Sequence, residues 1–504
     1  MAQTFESAKL LPTRAPVWFV CTVSLLLFSQ QLWIGESLTT TLIFTMSLVV
    51  FFVGFNLLNG LKSIPGILFG LHGLSSIIAH ALICVIEGVK VSDDMDPNLD
   101  LALVNFFSLV TLTFAAIIYK QTAKSRGILY STLESINVSP NLPLGIPTLL
   151  ILAVSVFGLY SNLIPSSLTF LFQISFAATC IVACRMIAEN RAKLVAYLAV
   201  VFIIAIAWKG HGLSGMKSSL VMPLAQVMLA AALINLRMQW LLITSVLILF
   251  ACINILAFAI QPLRHLRPGI DNEARLAHAI AYLAIDLERR YSIELPISQP
   301  EVKSLIEILR AQSSGQDKIE RVGMFSRISL TVDDGKMLRA INERGQIPLE
   351  KYFEEFLVIP RAVSGEEFRL DKISAYYGRY AGSIGRFNTD TGIAFSSGTI
   401  SYAHGGLLFL IVNLFCGGLA IFWLSHLTFG SEAKEYDIGK IWMIALFTST
   451  DIGIEISSLW LMATRKLPIA IASYILIYIL CKFANALLQK RSISTEKSRL
   501  RQAA

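Results

Sequence analysis

Residues 38–58 read LTTTLIFTMSLVVFFVGFNLL. This run contains no charged side chain and is followed by Asn59-Gly60. A hydrocarbon core roughly 30 Å thick takes about 20 apolar residues of helix per crossing, so one such run spells one transmembrane span. Comparable runs recur near 17–35, 64–86, 101–119, 144–160, 164–188, 194–208, 218–236, 240–260, 405–427, 439–462 and 468–487. The sequence therefore predicts an all-α integral membrane protein of about twelve transmembrane helices. Strict apolar–polar alternation, the mark of a membrane β-barrel, is not what these runs show. Over the 504 residues, 55% are hydrophobic and 15% charged. Soluble domains carry about 25% charged residues, and the deficit points to lipid as the solvent.

The positions of Lys and Arg set an orientation. Lys9 and Arg14 precede the first span, and Lys62 follows the second. Lys120, Lys124 and Arg126 follow the fourth; Arg185, Arg191 and Lys193 follow the sixth; Arg237 follows the eighth. Lys490, Arg491, Lys497, Arg499 and Arg501 crowd the tail. With an even number of spans these groups share one side, which the positive-inside bias makes cytoplasmic, with both termini. An acidic connection, Asp93, Asp94, Asp96 and Asp100, falls on the other side and reads as a solvated loop. The first apolar run, Val17 to Trp33, ends without a small-residue cleavage site and reads as a retained helix.

Three parts follow: a membrane bundle over 1–261, a long extracytoplasmic loop over 262–403, and membrane helices with a basic tail over 404–504. In the loop, Ala274, Ala277, Ile280, Ala281, Ala284 and Leu287 form a helical stripe. Val302, Leu305, Ile306 and Leu309 form a second, opened by Pro300 and Glu301, and Pro348–Leu357 a third. These predict amphipathic helices capping the bundle. Gly and Ser from Gly378 to Gly406 predict an irregular segment after them. The net charge of +8 reports loop placement and anionic lipid, and no basic patch with interleaved aromatics suggests nucleic acid. All seven cysteines lie in apolar runs, so no disulfide framework is expected; Cys180 and Cys184 read as small packing residues.

Candidate chemistry gathers on the outer side. The turn Lys209-Gly-His211-Gly-Leu-Ser-Gly-Met-Lys217 combines three glycines with two lysines. Glycines let a backbone approach a ligand and lysines bring charge, although snorkelling lysines at a hinge explain the pattern equally well. Arg321, Arg327 and Arg361 stand among further loop arginines that, taken singly, would be merely solvated. Together, cations at the mouth of a membrane cavity suit a lipid-linked pyrophosphate and its departure in a transition state. Asp451 and Glu455, four residues apart in the run 439–462, are expected on one helix face, lining a cavity or pairing with a residue such as Arg465. His72 and His80 in the third span are expected to be core histidines with a hydrogen bond.

A resemblance joins these residues. Ile319-Glu-Arg321-Val-Gly-Met-Phe-Ser-Arg327, then Phe356-Leu-Val-Ile359-Pro360-Arg361 with Lys372, resembles bacterial oligosaccharide repeat unit polymerases. Thr391-Gly392-Ile-Ala-Phe395 leading into Ser401-Tyr-Ala-His404-Gly405-Gly406 is similar to the same O-antigen and exopolysaccharide enzymes. Gly215-Met-Lys217 resembles their G-x-R helix start with Lys in place of Arg, so a forked phosphate contact becomes a point charge. The likeness runs in order from about residue 209 to 427.

The resemblance implies an architecture like that of the GT-C membrane glycosyltransferases, in the bacterial cytoplasmic membrane. It implies transfer of a glycan from undecaprenyl pyrophosphate onto a second lipid-linked repeat unit, with a flippase and a chain-length regulator as partners. Lys217, Arg321 and Arg361 would hold the pyrophosphate, with Lys209, His211, Arg327 and Lys372 lining the substrate. His404 is the leading candidate base, since imidazole titrates near neutrality; the alternative is a hydrogen-bonded histidine capping a helix. Glu366, Glu367, Asp371 and Asp390 are further candidate bases. No cofactor is called for, and the chemistry is expected to be metal-independent. An O-antigen ligase, a flippase or transporter of lipid-linked sugars, and a sensor or scaffold are the competing classes.

Overall fold

A computed structural model of the chain describes residues 14–95, 98–123, 127–160, 169–211, 218–234, 272–291, 294–313, 329–354, 373–384, 393–430, 435–448 and 455–503. Among the described residues there is no strand. The helices are, in order, α1 (Val17–Trp33), α2 (Leu38–Leu57), α3 (Ile64–Glu87), α4 (Asn98–Thr122), α5 (Ile128–Ser135), α6 (Ile146–Tyr160), α7 (Thr169–Ala188), α8 (Lys193–His211) and α9 (Ser218–Leu233). There follow α10 (Asn272–Tyr291), α11 (Pro300–Ser313), α12 (Thr331–Arg344), α13 (Leu349–Glu354), α14 (Ile373–Tyr380), α15 (Ser397–Phe429), α16 (Asp437–Thr448), α17 (Ile456–Leu461) and α18 (Leu467–Ala503).

Five helical stretches are long and apolar enough to cross a membrane: Leu38–Lys62, Ile64–Glu87, Leu99–Thr122, Ser397–Phe429 and Ser458–Lys490. Shorter apolar helices, Val17–Trp33, Ile146–Val156, Gln173–Ala188 and Lys193–Phe202, fall on four more of the expected runs. The expected span at 240–260 lies outside the described residues. Phe114, Leu408, Val412 and Leu476 are exposed along the long helices. Such outward apolar faces suit lipid and not water.

The chain divides into two compact units, and the segment 262–403 contributes to both. One unit comprises Leu11–Asn141 and Ile328–Ala472. Here α2 packs along α4, and α4 along α15. Helix α2 starts at Ser37, whose hydroxyl accepts Thr40 N–H at 3.1 Å, and α3 starts at Ser63, whose hydroxyl accepts Gly66 N–H at 3.1 Å. Gly54 lets α2 close on its neighbours: a Cβ there would lie 2.4 Å from Phe69 Cζ and 2.6 Å from Thr113 Oγ1. Phe51 stacks on Phe69 at 5.7 Å, and Tyr119 of α4 hydrogen-bonds His426 Nδ1 of α15 at 3.1 Å.

The connection after α3 is fastened by polar side chains from the α1–α2 end. Gln31 Oε1 accepts Val91 N–H at 2.8 Å and its Nε2 donates to Val89 O at 3.0 Å. Glu36 accepts Ser37 N–H at 2.7 Å and Ser92 N–H at 2.8 Å. Buried Gln31 and Glu36 are thus spent on backbone groups that lipid could not satisfy. Within the acidic connection, Val91–Asp94 is a 3-10 turn with a pinned backbone, and Asp93 and Asp100 are exposed, as a solvated loop requires. Helix α12 lies over this turn, the middle of α3, α4 and α15.

The other unit comprises Leu142–Arg327 with Ser473–Ala504 and the first ten residues. Helices α6 to α9 pack on one another, and Asn485 of α18 donates to Thr148 Oγ1 at 3.0 Å. The first two stripes of the long segment form the expected helices and bury against each other: Ala281 and Ala284 of α10 pack on Val302 and Ile306 of α11, with Ala277, Ile280, Leu305 and Leu309 alongside. An Arg310–Glu288 ion pair closes the surface of this hairpin.

Three expectations are corrected. The run 439–462 is not one helix, because Glu455 is extended (φ −125°, ψ 159°) at the start of α17. Asp451 lies outside the described residues. Second, no turn separates 462 from 468, because α17 runs through a π-turn (Met462–Lys466) into α18. Third, the Gly/Ser-rich stretch is not irregular throughout. Helix α14 covers Ile373–Tyr380, and α15 begins at Ser397 with the Ser396 hydroxyl capping Thr399 N–H at 3.2 Å.

Gly54→Ala should lower stability by about 1–3 kcal/mol, since the methyl must push Phe69 and Thr113 aside. A thermal melt of the detergent-solubilised chain checks this; an unchanged melting temperature would mean that α2, α3 and α4 are not this close.

Candidate functional site

Most of the cations singled out in the sequence lie outside the described residues: Lys217, Arg321, Arg327, Arg361 and Lys372, as does Asp451. Lys209 and His211 end α8, in the unit built from Leu142–Arg327. His404 and Glu455 belong to the other unit, and there the site can be built from its parts.

Its foundation is a π-turn, Leu74–Ile78, in the middle of α3. Ala79 N–H reaches back five residues to Leu74 O, so Ser75 O loses its usual intrahelical donor. Leu330 N–H takes that carbonyl at 3.1 Å, and Asn105 Nδ2 reaches the Ser76 carbonyl at 3.4 Å. Helix α12 starts one residue after Leu330 and is thereby anchored on α3. Its start is polar and dry: Ser329 and Thr331 hydroxyls meet at 2.7 Å, and Thr331 is fully buried.

Asp334 follows, with 0% exposure. One carboxyl oxygen accepts Ser396 N–H at 2.9 Å; the other, Oδ2, has no hydrogen-bond partner among the described residues. Burial pushes this carboxyl up to about 7, with a small further push from the Asp333 charge. The Ser396 and Thr399 groups beside it pull in the opposite direction.

The first two turns of α15, residues 397–404, are held along their length. Gly398 sits on α4, where a Cβ would come within 2.0 Å of Ser108 Oγ. Ser401 receives Asn413 Nδ2 at 2.7 Å, and Asn413 Oδ1 receives the Tyr352 hydroxyl at 2.8 Å. The segment ends in a kink at Gly405 and Gly406, where Gly406 is left-handed (φ 63°). Helical bonding fails there, and Ala403 O accepts Ile347 N–H at 2.8 Å.

His404 closes the segment. It is buried, not presented at a surface. A carbonyl only accepts, so Nδ1 carries the proton that goes to Pro348 O at 3.1 Å, and Nε2 accepts the Tyr377 hydroxyl at 2.9 Å. The ring lies edge-on to Tyr352 at 5.4 Å and Tyr377 at 5.7 Å. This neutral, doubly bonded imidazole has the setting of a positioning residue. Lys351 and Arg344 stand over Tyr376 and Tyr380 at 5.7 and 5.9 Å, so cations flank the same aromatic cluster.

Glu455 is not part of this cluster. It is buried against Gly417, where a Cβ would lie 3.2 Å from its carbonyl carbon. Gly417 is about 18 Å along α15 from the kink at the helical rise of 1.5 Å per residue. His80 Nε2 donates to Val91 O at 3.0 Å, the hydrogen bond expected of a core histidine, whereas the Nε2 of buried His72 has no partner among the described residues.

Asp334, Tyr352, Tyr377 and Asn413 were not among the sequence candidates. Two signals stood in the sequence. Asn413 is a lone amide inside the apolar run 405–427. Ser329-Leu-Thr331-Val-Asp333-Asp334 precedes Met337, Leu338 and Ile341, which are polar residues opening an apolar helical stripe.

Two outcomes follow from the geometry. Asn413→Ala should cost about 1–3 kcal/mol, because it strands Ser401 and Tyr352, and Tyr352→Phe in the same chain should recover part of that loss in a double-mutant cycle. Asp334 has a folded-state value above its unfolded one, so its contribution is full below about pH 4 and is lost as pH rises through about 7. Asp334→Asn should flatten that decline, read as melting temperature across the pH range. Comparison with protein-family models, with curated proteins and with solved structures finds no match for this chain.

Proposed function

We propose that the chain is a bacterial polysaccharide polymerase of about twelve spans with a GT-C-like architecture. It would join undecaprenyl-pyrophosphate-linked repeat units at the outer face of the cytoplasmic membrane, with both termini inside. The observation that carries this reading is the ordered set Arg321, Arg327, Arg361, Lys372 and His404-Gly405-Gly406. It sits in the right sequence between long apolar helices.

In this reaction the acceptor sugar's hydroxyl oxygen bonds to the anomeric carbon of the donor. The anomeric carbon–oxygen bond to pyrophosphate breaks, and undecaprenyl pyrophosphate leaves with the electron pair. The hydroxyl proton passes to a base. Arg321 and Arg361, with Lys217, stabilise the departing charge; Lys209, His211, Arg327 and Lys372 hold the substrate. Pyrophosphate is already a good leaving group, so base assistance is the smaller part of the barrier. His404, with both nitrogens engaged, orients Tyr377 and the 347–348 backbone, and the proton falls to a loop carboxylate such as Glu366, Glu367, Asp371 or Asp390.

A second reading has one observation behind it. The extended Glu455 at the start of α17, packed against Gly417 in the middle of α15, is an interruption of the kind that discontinuous transporter helices carry. A flippase for lipid-linked sugars would use Asp451 and Glu455 there.

Arg321→Ala and Arg361→Ala should each reduce long-chain glycan by about 100-fold, the scale of one lost charge-stabilising donor, while single repeat units persist. Gel analysis of extracted glycans reads both. Loss of single units together with polymer would favour the flippase, polymer accumulating on lipid would favour a ligase, and normal chain length would remove both arginines from the mechanism.

A further inference from the structure

The Asp334 carboxyl is used by nothing in the proposed transfer. It nevertheless occupies the one junction where α12 meets the start of α15. Its Oδ1 takes Ser396 N–H at 2.9 Å, the donor just ahead of the 397–404 segment. Its Oδ2 is enclosed and has no hydrogen-bond partner among the described residues. As a neutral acid, the group suits this dry setting. As an anion, it is a buried charge that the Ser396 N–H and the Ser396 and Thr399 hydroxyls offset only in part, and such groups draw in water or part their surroundings.

We propose that Asp334 is a proton-binding site that governs docking of the 397–404 segment: the neutral acid holds the segment on α12, and ionisation loosens it. The segment is suited to move as a piece. The Gly405–Gly406 kink separates it from the remainder of α15, and Gly406 adopts a left-handed conformation that other residues rarely take. Its other ties include hydrogen bonds to Asn413, Ile347, Tyr377 and Pro348 and the close packing of Gly398 on Ser108 of α4.

The transition falls in a useful range, because burial raises the carboxyl to about 7 while the Ser396 and Thr399 contacts keep it from going higher. The other charged groups on the elements around α12 are few. Its own helix carries Asp333, Lys336, Arg339, Glu343 and Arg344; α3 carries His72, His80 and Glu87; the 3-10 turn carries Asp93 and Asp94, with Lys90 beside it; α4 carries Asp100 and Lys120, α14 carries Arg379, and α15 carries His404 and His426. Among them only Asp333 acts appreciably on the Asp334 charge, and Asp333 is itself held by Lys336 at 3.6 Å and Ser383 at 3.0 Å. The inference does not depend on the polymerase reading.

Hydrogen exchange of the full chain in detergent, corrected for the intrinsic pH dependence of exchange, tests it. In the wild type, exchange of the 397–404 amides should rise about tenfold between about pH 6 and pH 8, while α2 stays unchanged. Asp334→Asn, neutral at every pH and still able to accept Ser396 N–H, should show no such step. His404→Gln should retain it. A flat wild-type profile would overturn the proposal without reference to any variant, and so would an undiminished step in Asp334→Asn or its loss in His404→Gln.

Discussion

Inside hydrocarbon, a backbone carbonyl that loses its helical donor has to find another, because water is not there to replace it. Much of the unit built around α2, α4 and α15 follows from that constraint. The π-turn in α3 sets Ser75 O free, and Leu330 N–H fills the vacancy. The glycine kink in α15 disrupts bonding at Ala403 O, and Ile347 N–H answers it. The two ends of the stretch holding α12 are thus fastened to the membrane helices at the two places where those helices are irregular. What looks like a defect in each long helix is where the polar segment attaches.

That arrangement also explains why polar side chains concentrate at one level of the bundle. Once α12 is docked, Thr331, Asp334, Ser396, Thr399, Ser401, His404 and Asn413 are enclosed together. Each has to be answered by another, and the chain Tyr352–Asn413–Ser401 and the bridge Tyr377–His404–Pro348 do so. Asp334 alone has an oxygen left over. A fully satisfied lattice specifies one geometry, and a single unsatisfied atom within it marks where the geometry has a second state.

Long apolar runs made the membrane helices legible, since length and absence of charge suffice to identify them. The α10–α11 hairpin was legible too, because Ala277, Ile280, Ala281 and Val302, Leu305, Ile306 repeat at helical spacing. The break at Glu455 was harder: an apolar average over 439–462 conceals Ser449-Thr-Asp-Ile-Gly453, whose composition argued against a helix all along. The continuity of α17 with α18 was hidden by Arg465 and Lys466, whose charges separate the apolar runs 439–462 and 468–487 but sit in a π-turn. Asp334 escaped because the decisive facts, burial and a partner 62 residues away, are tertiary. Of the site, His404 was found from its motif, while its engagement at both nitrogens is a property of Tyr377 and Pro348.

The fastening of α12 and its flanks has a consequence for how this sequence is free to vary. Both anchors donate from the main chain, at Leu330 and Ile347. A peptide N–H is supplied by every amino acid except proline, so the clamp itself is blind to side-chain identity. Drift at these two positions is limited by what each side chain packs against and not by the attachment. The exposed positions between the anchor points can therefore be rewritten, with Thr331, Asp334 and the buried apolar face of α12 kept, and the segment still lands on the same two gaps in the helices beneath it.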